Sequence, residues 1–175
     1  MEGYKKDLKV YFSDNSYGLF YTHFENCWLS GYTDNDYVGS LDHRKSTSGY
    51  AFYLGTNLIS WASKKQTIIL ISSAKAEYVA ENPAACQDVW LRRLLKDISY
   101  IQNEPTPIYC DNSLAITLLK IHVFHKKSKH IDTHFHFILE LVNDGDILLA
   151  LCGSKDQLAY IFTKQLGKNI FEFQR

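Results

Sequence analysis

Two apolar runs, Tyr50–Leu54 and Leu58–Ser63, flank the turn sequence Gly55-Thr56-Asn57. A short glycine-containing connection between such runs is a hairpin signal. It commits the first half of the chain to antiparallel pairing. Trp28–Asp34 reads as an earlier strand, and Thr67–Ile71 as a β-branched, extended run after the hairpin. The period then changes. From about Ala74 to Ile98, Ala76, Ala80, Ala84, Leu91 and Leu95 recur near one face with Trp90 and Leu94 beside them, as in a long helix. Ile108–Cys110 reads as a strand and Asn112–Lys120 as a short helix. Ile131–Val142 reads as a helix stopped by Asn143-Asp144-Gly145, Ile147–Leu151 as a strand, and Gln157–Thr163 as a last helix. Antiparallel strands followed by strand–helix alternation predict an α/β domain with a mixed sheet and helices on its faces.

With 175 residues, 46% of them hydrophobic, the chain is long enough for one domain with a proper core and a short appendage. Basic and acidic residues balance at 19 each, so no global field attracts a polyanion, and any such binding needs a local patch. The four cysteines, Cys27, Cys86, Cys110 and Cys152, form no C-x-x-C pair and lie in apolar runs. They read as buried free thiols and not as a zinc ribbon or redox motif. The N-terminus MEGYKKDLKV is too charged for a signal peptide, and no apolar run approaches a membrane span. The expectation is an intracellular protein, cytoplasmic or nuclear, with no membrane partner and no small-molecule cofactor.

Three acidic residues mark turning points of the chain: Asp34 in GYTDNDYVGS, Glu77 in SSAKAEYVA and Asp111 in IYCDNSLAI. Asp34 and Asp111 end strand-like runs, and Glu77 lies in the opening turns of the long helix. Separated carboxylates brought together at strand ends are what a two-metal nuclease needs. Magnesium, a hard ion, prefers such oxygens. An isolated aspartate after a strand is also an ordinary cap or turn residue, so the residues alone leave both readings open.

The segments GYTDNDYVGSLDHRKSTSGYAFYLG, ISWASKKQ, SSAKAEYVA, WLRRLLKD, IYCDNSLAI, KHIDTHFHF and DQLAYIFTK closely resemble, in order, the ribonuclease H domain of copia-type retrotransposon polyproteins. The resemblance runs from about Leu19 to Leu166. It implies a ribonuclease H-like fold, a five-stranded mixed sheet flanked by helices, with three antiparallel strands first and two parallel strands after them. It implies three regions: 1–26 as a remnant of the reverse transcriptase connection, 27–167 as the ribonuclease H-like domain and 168–175 as a tail. It also implies hydrolysis of the RNA strand of an RNA–DNA hybrid with two magnesium ions, or manganese in their place, leaving a 3′-hydroxyl and a 5′-phosphate. Asp34, Glu77 and Asp111 match its metal-binding and catalytic positions. A reverse transcriptase module in trans is a further implied partner.

The chain departs from that family at three places. The fourth ligand, an aspartate, is replaced by Tyr160 in Leu158-Ala159-Tyr160. A phenol is neutral at physiological pH and a poor magnesium ligand. Asp156, four residues earlier, shares a helix face with position 160 but lies about 6 Å along the axis, so it is at best a weak, water-mediated substitute. Pro83 interrupts the long helix, at a cost of roughly 3 kcal/mol. The helix either kinks there or restarts with Asn82 as cap. Lys75 stands where glutamate would complete a capping box with Ser72.

Lys126, Lys127, Lys129 and His130 form the densest basic run, with Lys64 and Lys65 near the hairpin end as a second. Both are candidate phosphate contacts; a solvated loop is the competing reading. His130 and His134 have i, i+4 spacing, but Ile131 stands where a zincin has glutamate, so the histidines are not read as a zinc site. Tyr50, Phe52, Trp61 and Trp90 are assigned to the core. Two functions follow: a ribonuclease H-like domain impaired at Tyr160, or an inactive retroelement remnant that at most binds nucleic acid.

Overall fold

The computed structural model describes residues 18–19, 21–23, 27–36, 46–66, 73–113, 116–117, 133–167 and 169–171, without the side chains of 73–81 and 133–135. The expected strand at 67–71, most of the short helix after Asp111 and the tail beyond 171 lie outside them. Five strands, β1 (Leu29–Asp36), β2 (Thr47–Leu54), β3 (Asn57–Lys65), β4 (Thr106–Cys110) and β5 (Ile147–Leu151), form one sheet in the order β3-β2-β1-β4-β5. β1 and β3 are antiparallel to β2, β4 is parallel to β1, and β5 is parallel to β4. That is the mixed ribonuclease H-like sheet expected from the sequence. The hairpin turn is shorter than expected, because Asn57 already opens β3 and Gly55 adopts φ 64°.

Helix α1 (Ser73–Asp97) runs unbroken through Pro83, so the restart at Asn82 does not occur. Its buried residues Ala84, Ala85, Leu91 and Leu95 pack with Leu29, Phe52, Ile108 and Ile147 of the sheet and with Ile138 and Leu139 of α2 (Thr133–Asn143). Gly31 lets the Phe52 ring reach β1, since a Cβ there would come within 2.7 Å of that ring. Burying such side chains contributes about 1.5–3 kcal/mol each.

Both helices end alike. After α2, Gly145 N–H donates to the Val142 carbonyl (3.3 Å) and Asp146 N–H to that of Leu141 (2.9 Å), with Gly145 at φ 76°. After α1, Ser99 N–H donates to Lys96 and Tyr100 N–H to Leu95, with Ser99 at φ 65°. These are Schellman closures, which satisfy the last helical carbonyls and turn the chain back toward the sheet. Residues 18–19 and 21–23, in the segment ahead of β1, are not in a strand. Instead this segment clips to the hairpin: Tyr21 Oη donates to the Leu58 carbonyl (2.9 Å), and Thr22 exchanges hydrogen bonds with the Asn57 side chain (2.7 and 2.9 Å).

Burial corrects two expectations. Phe52 is in the core and Tyr50 packs against it, but Trp61 and Trp90 are 50% and 55% exposed. Trp61 lies on β3, an edge strand, and Trp90 on the outer side of α1. Of the cysteines, all free, only Cys110 is fully buried, and Cys86 is exposed.

Candidate active site

The ends of β1 and β4 lie side by side because these strands are parallel, with Gly31 opposite Ile108 and Tyr32 opposite Tyr109. This brings Asp34 and Asp111 to one end of the sheet. The expected helix over Gln157–Thr163 is instead a tight 3-10 turn, Leu158–Phe162. Gln157 anchors its start: its buried amide donates from Nε2 to the Thr33 carbonyl (2.9 Å), while its Oε1 accepts from Ala159 N–H (3.2 Å). The turn lies on β2 over Gly49, the residue opposite Asp34. A Cβ at Gly49 would come within 2.8 Å of Thr163 Cγ2 and 3.0 Å of Phe162 Cβ.

Three side chains, one in this turn and two directly after it, close over the two carboxylates. Tyr160 donates its hydroxyl to Asp111 Oδ2. Thr163 donates its hydroxyl to Asp34 Oδ2. Lys164 Nζ sits 3.6 Å from the same Asp34 oxygen and 3.5 Å from the centre of the Tyr160 ring. Burial raises Asp34 above the ordinary carboxylate value, opposed by the Thr163 hydrogen bond and the Lys164 charge. Burial and the bond to Asp111 raise Tyr160 further, so its phenol stays neutral and acts as a donor. Cys152, whose N–H donates to the Cys110 carbonyl (2.9 Å), is pushed up to about 11 by burial and by Asp111, Asp156 and Asp34.

Among the described residues no group of three or more His, Cys, Asp or Glu side chains is placed to hold a metal. The two carboxylates already have partners, and the neighbouring thiol is protonated. The described residues therefore do not fit a two-metal centre as they stand. Glu77 lies in α1, with its side chain outside the described set. Asp156 is exposed in the turn before Leu158 and not on a helix with Tyr160, so it does not share a helical face with position 160. Lys64 and Lys65 are exposed at the end of β3. Lys126, Lys127, Lys129 and His130 lie outside the described residues. The sequence reading missed Thr163 and Lys164, although they follow Tyr160 by three and four residues, the spacing that returns side chains to one side of a helical turn.

No protein-family model matches the chain. It is 38% identical over 144 residues to the retrovirus-related Pol polyprotein from transposon TNT 1-94 of Nicotiana tabacum, a match covering 82% of this chain and 11% of that protein. It is 34% identical over 172 residues to the corresponding polyprotein from transposon RE1 of Arabidopsis thaliana, covering 98% and 12%. The crystal structure of ribonuclease H1 from Halobacterium salinarum NRC-1 superposes with a TM-score of 0.45 at 13% identity, covering 77% of this chain and 93% of that one. The strand order and pairing match a ribonuclease H-like fold, and the chain's relatives include copia-type retrovirus-related Pol polyproteins of plant transposons. The chain spans about a tenth of the length of these relatives.

Proposed function

We propose that this is a ribonuclease H-type domain that engages RNA–DNA hybrids but whose hydrolysis of the RNA strand is impaired by its own side chains. The observation that carries the reading is the closure of Asp34 and Asp111 by Tyr160, Thr163 and Lys164. In the parent chemistry, two divalent ions held by carboxylates would supply the activated water and stabilise the leaving oxygen. Here the Lys164 ammonium supplies positive charge to Asp34, and the Tyr160 phenol satisfies Asp111 without adding negative charge. Each contact stabilises the carboxylate pair without metal, and each opposes metal entry.

What remains is recognition. Lys64 and Lys65 are exposed candidates for backbone contacts, which would make affinity salt-dependent. Ribonuclease H-type recognition of a hybrid by shape and 2′-hydroxyl contacts asks for no net basic charge on the whole chain.

The test is hybrid cleavage with magnesium. Tyr160→Asp combined with Lys164→Met should raise the cleavage rate at least about tenfold above the present sequence, the scale on which single changes around metal sites act. Asp111→Asn in that background should abolish the gain. A double variant that stays folded and gains nothing would refute closure by this turn as the cause of impairment.

A further inference from the structure

The 3-10 turn that covers the carboxylates also reaches the opposite edge of the sheet. Phe162 stacks on Trp61 with ring centroids 6.4 Å apart and planes 20° from parallel. Trp61 stays half exposed although it is one of the largest apolar side chains available. The alternation of a strand puts residues 61, 63 and 65 on one face. They pair across β2 with Ala51, Gly49 and Thr47, and Gly49 is opposite Asp34. Trp61, Lys65 and Asp34 therefore share a sheet face, with Asp34 two strands in from the edge, about 10 Å across. Lys65 follows Trp61 by about 14 Å along the strand. Lys64 and Lys65 are exposed, and neither takes part in an ion pair among the described residues.

A bare tryptophan on an edge strand invites sheet-to-sheet aggregation, and terminal lysines are a common protection against it. That reading accounts for Lys64 and Lys65. It leaves unexplained why the indole is held flat by a second ring, borne on the same turn as Tyr160, Thr163 and Lys164. A rigid aromatic face with a cation further along the strand is the arrangement that holds single-stranded nucleic acid: bases stack on the ring, and phosphates meet the positive charge. Bases inside a duplex are already stacked on each other, so such a face favours an unpaired segment.

We propose that the Trp61–Phe162 stack, with Lys65, is a binding site for an unpaired nucleic-acid strand, such as the single-stranded end that continues from a hybrid lying at the Asp34–Asp111 end of the sheet. This rests on the hybrid-binding reading above and adds a second contact region to it. Phe162 is the positioning residue: it orients the indole and ties the platform to the turn that covers the carboxylates.

The experiment uses the full chain with Trp28→Phe and Trp90→Phe, which leaves Trp61 as its only tryptophan. Its fluorescence is titrated with an oligo-deoxythymidylate, an oligo-uridylate, a blunt RNA–DNA hybrid and the same hybrid carrying an overhang. Quenching by the single strands and by the overhang is expected. Anisotropy of labelled nucleic acid then compares Trp61→Leu, which keeps apolar contact with Phe162, and Trp61→Phe, which keeps a ring. Trp61→Leu should weaken single-strand and overhang binding about tenfold, the scale of one lost stacking contact. It should leave blunt-hybrid affinity within about twofold, within the spread expected when no contact is lost. Trp61→Phe should recover most of the loss. Lys65→Ala should lower the salt slope by about one. Preference between the two single strands reports whether the site favours RNA or DNA, and either preference supports it. Single-strand affinity unchanged in Trp61→Leu overturns the proposal, as does an equal loss for blunt hybrid. Absent binding of blunt hybrid by the present sequence, with single-strand binding intact, overturns the hybrid reading and leaves the platform standing.

Discussion

Two buried aspartates sit at opposite ends of this sheet and are treated differently. Asp34, at the end of β1, is 1% exposed and has a hydroxyl and an ammonium within reach. Asp88, on α1 beside the start of β4, is 0% exposed, and neither of its carboxylate oxygens has a well-formed hydrogen bond. A cation is near it too, but Arg92 directs its donors elsewhere: to the Glu104 carbonyl (2.9 Å), the Gln102 carbonyl (3.1 Å) and the Thr106 hydroxyl (3.0 Å), with Asp146 at 3.8 Å. Burial raises Asp88 to about 6, eased only partly by Thr106 and Arg92. Proximity of a cation is therefore not enough to hold a buried carboxylate. What matters is whether a donor also faces the carboxylate: the Thr163 hydroxyl does so at Asp34, and no well-formed donor does at Asp88. At the Asp34 end a whole turn is shaped for that purpose, while at the Asp88 end the arginine is a staple between loops.

The comparison breaks most visibly if the turn itself is displaced. Gly49→Ala would place a methyl within 2.8 Å of Thr163. It should destabilise the domain by about 2 kcal/mol, within the usual cost of overpacking, and should disturb the near-ultraviolet signal of the Trp61–Phe162 stack. Unchanged stability would mean that the turn is not held against β2 and that the closure of Asp34 is incidental.

A smaller effect sharpens the other half. A carboxyl whose folded pKa lies above its unfolded one binds its proton more tightly in the folded state. Its contribution to stability is full below the unfolded value, 3.8, and is lost as pH rises through about 6. Asp88→Asn should therefore stabilise the protein at neutral pH by about 1–2 kcal/mol and flatten stability between about pH 4 and 6. Urea unfolding across that range measures it. A loss of stability at neutral pH would show that the Asp88 charge is well paired in solution.

Much of the fold was legible because local signals and tertiary demands agree. The hairpin at Gly55, the stop at Gly145 and the five strands follow from turn chemistry and alternation. Two readings failed where the answer depends on distant parts of the chain, and a third point was left open by the sequence. From the sequence Trp61 reads as core because a large apolar residue in a strand usually belongs there, and its exposure follows from β3 lying at the sheet edge. The last helix tightened to a 3-10 turn because Gln157 is pinned to Thr33, a residue 124 positions away. Pro83 sits inside a continuous α1, whose buried residues immediately after it, Ala84 and Ala85, are held by the core. Asp88 was findable: with Ala84, Leu91 and Leu95 it follows the helical spacing of the buried face. At the site, Tyr160, which the sequence puts at the fourth carboxylate position, donates to Asp111. The roles of Thr163 and Lys164 depended on the geometry of the turn.

On the proposed reading, this turn closes the carboxylate pair to divalent ions through Tyr160 and Lys164. Calorimetric titration with manganese, comparing the present sequence with the Tyr160→Asp, Lys164→Met double variant, tests it most directly. The account predicts no saturable binding at millimolar manganese for the present sequence and clear binding for the variant. Equal, saturable binding by both would contradict it.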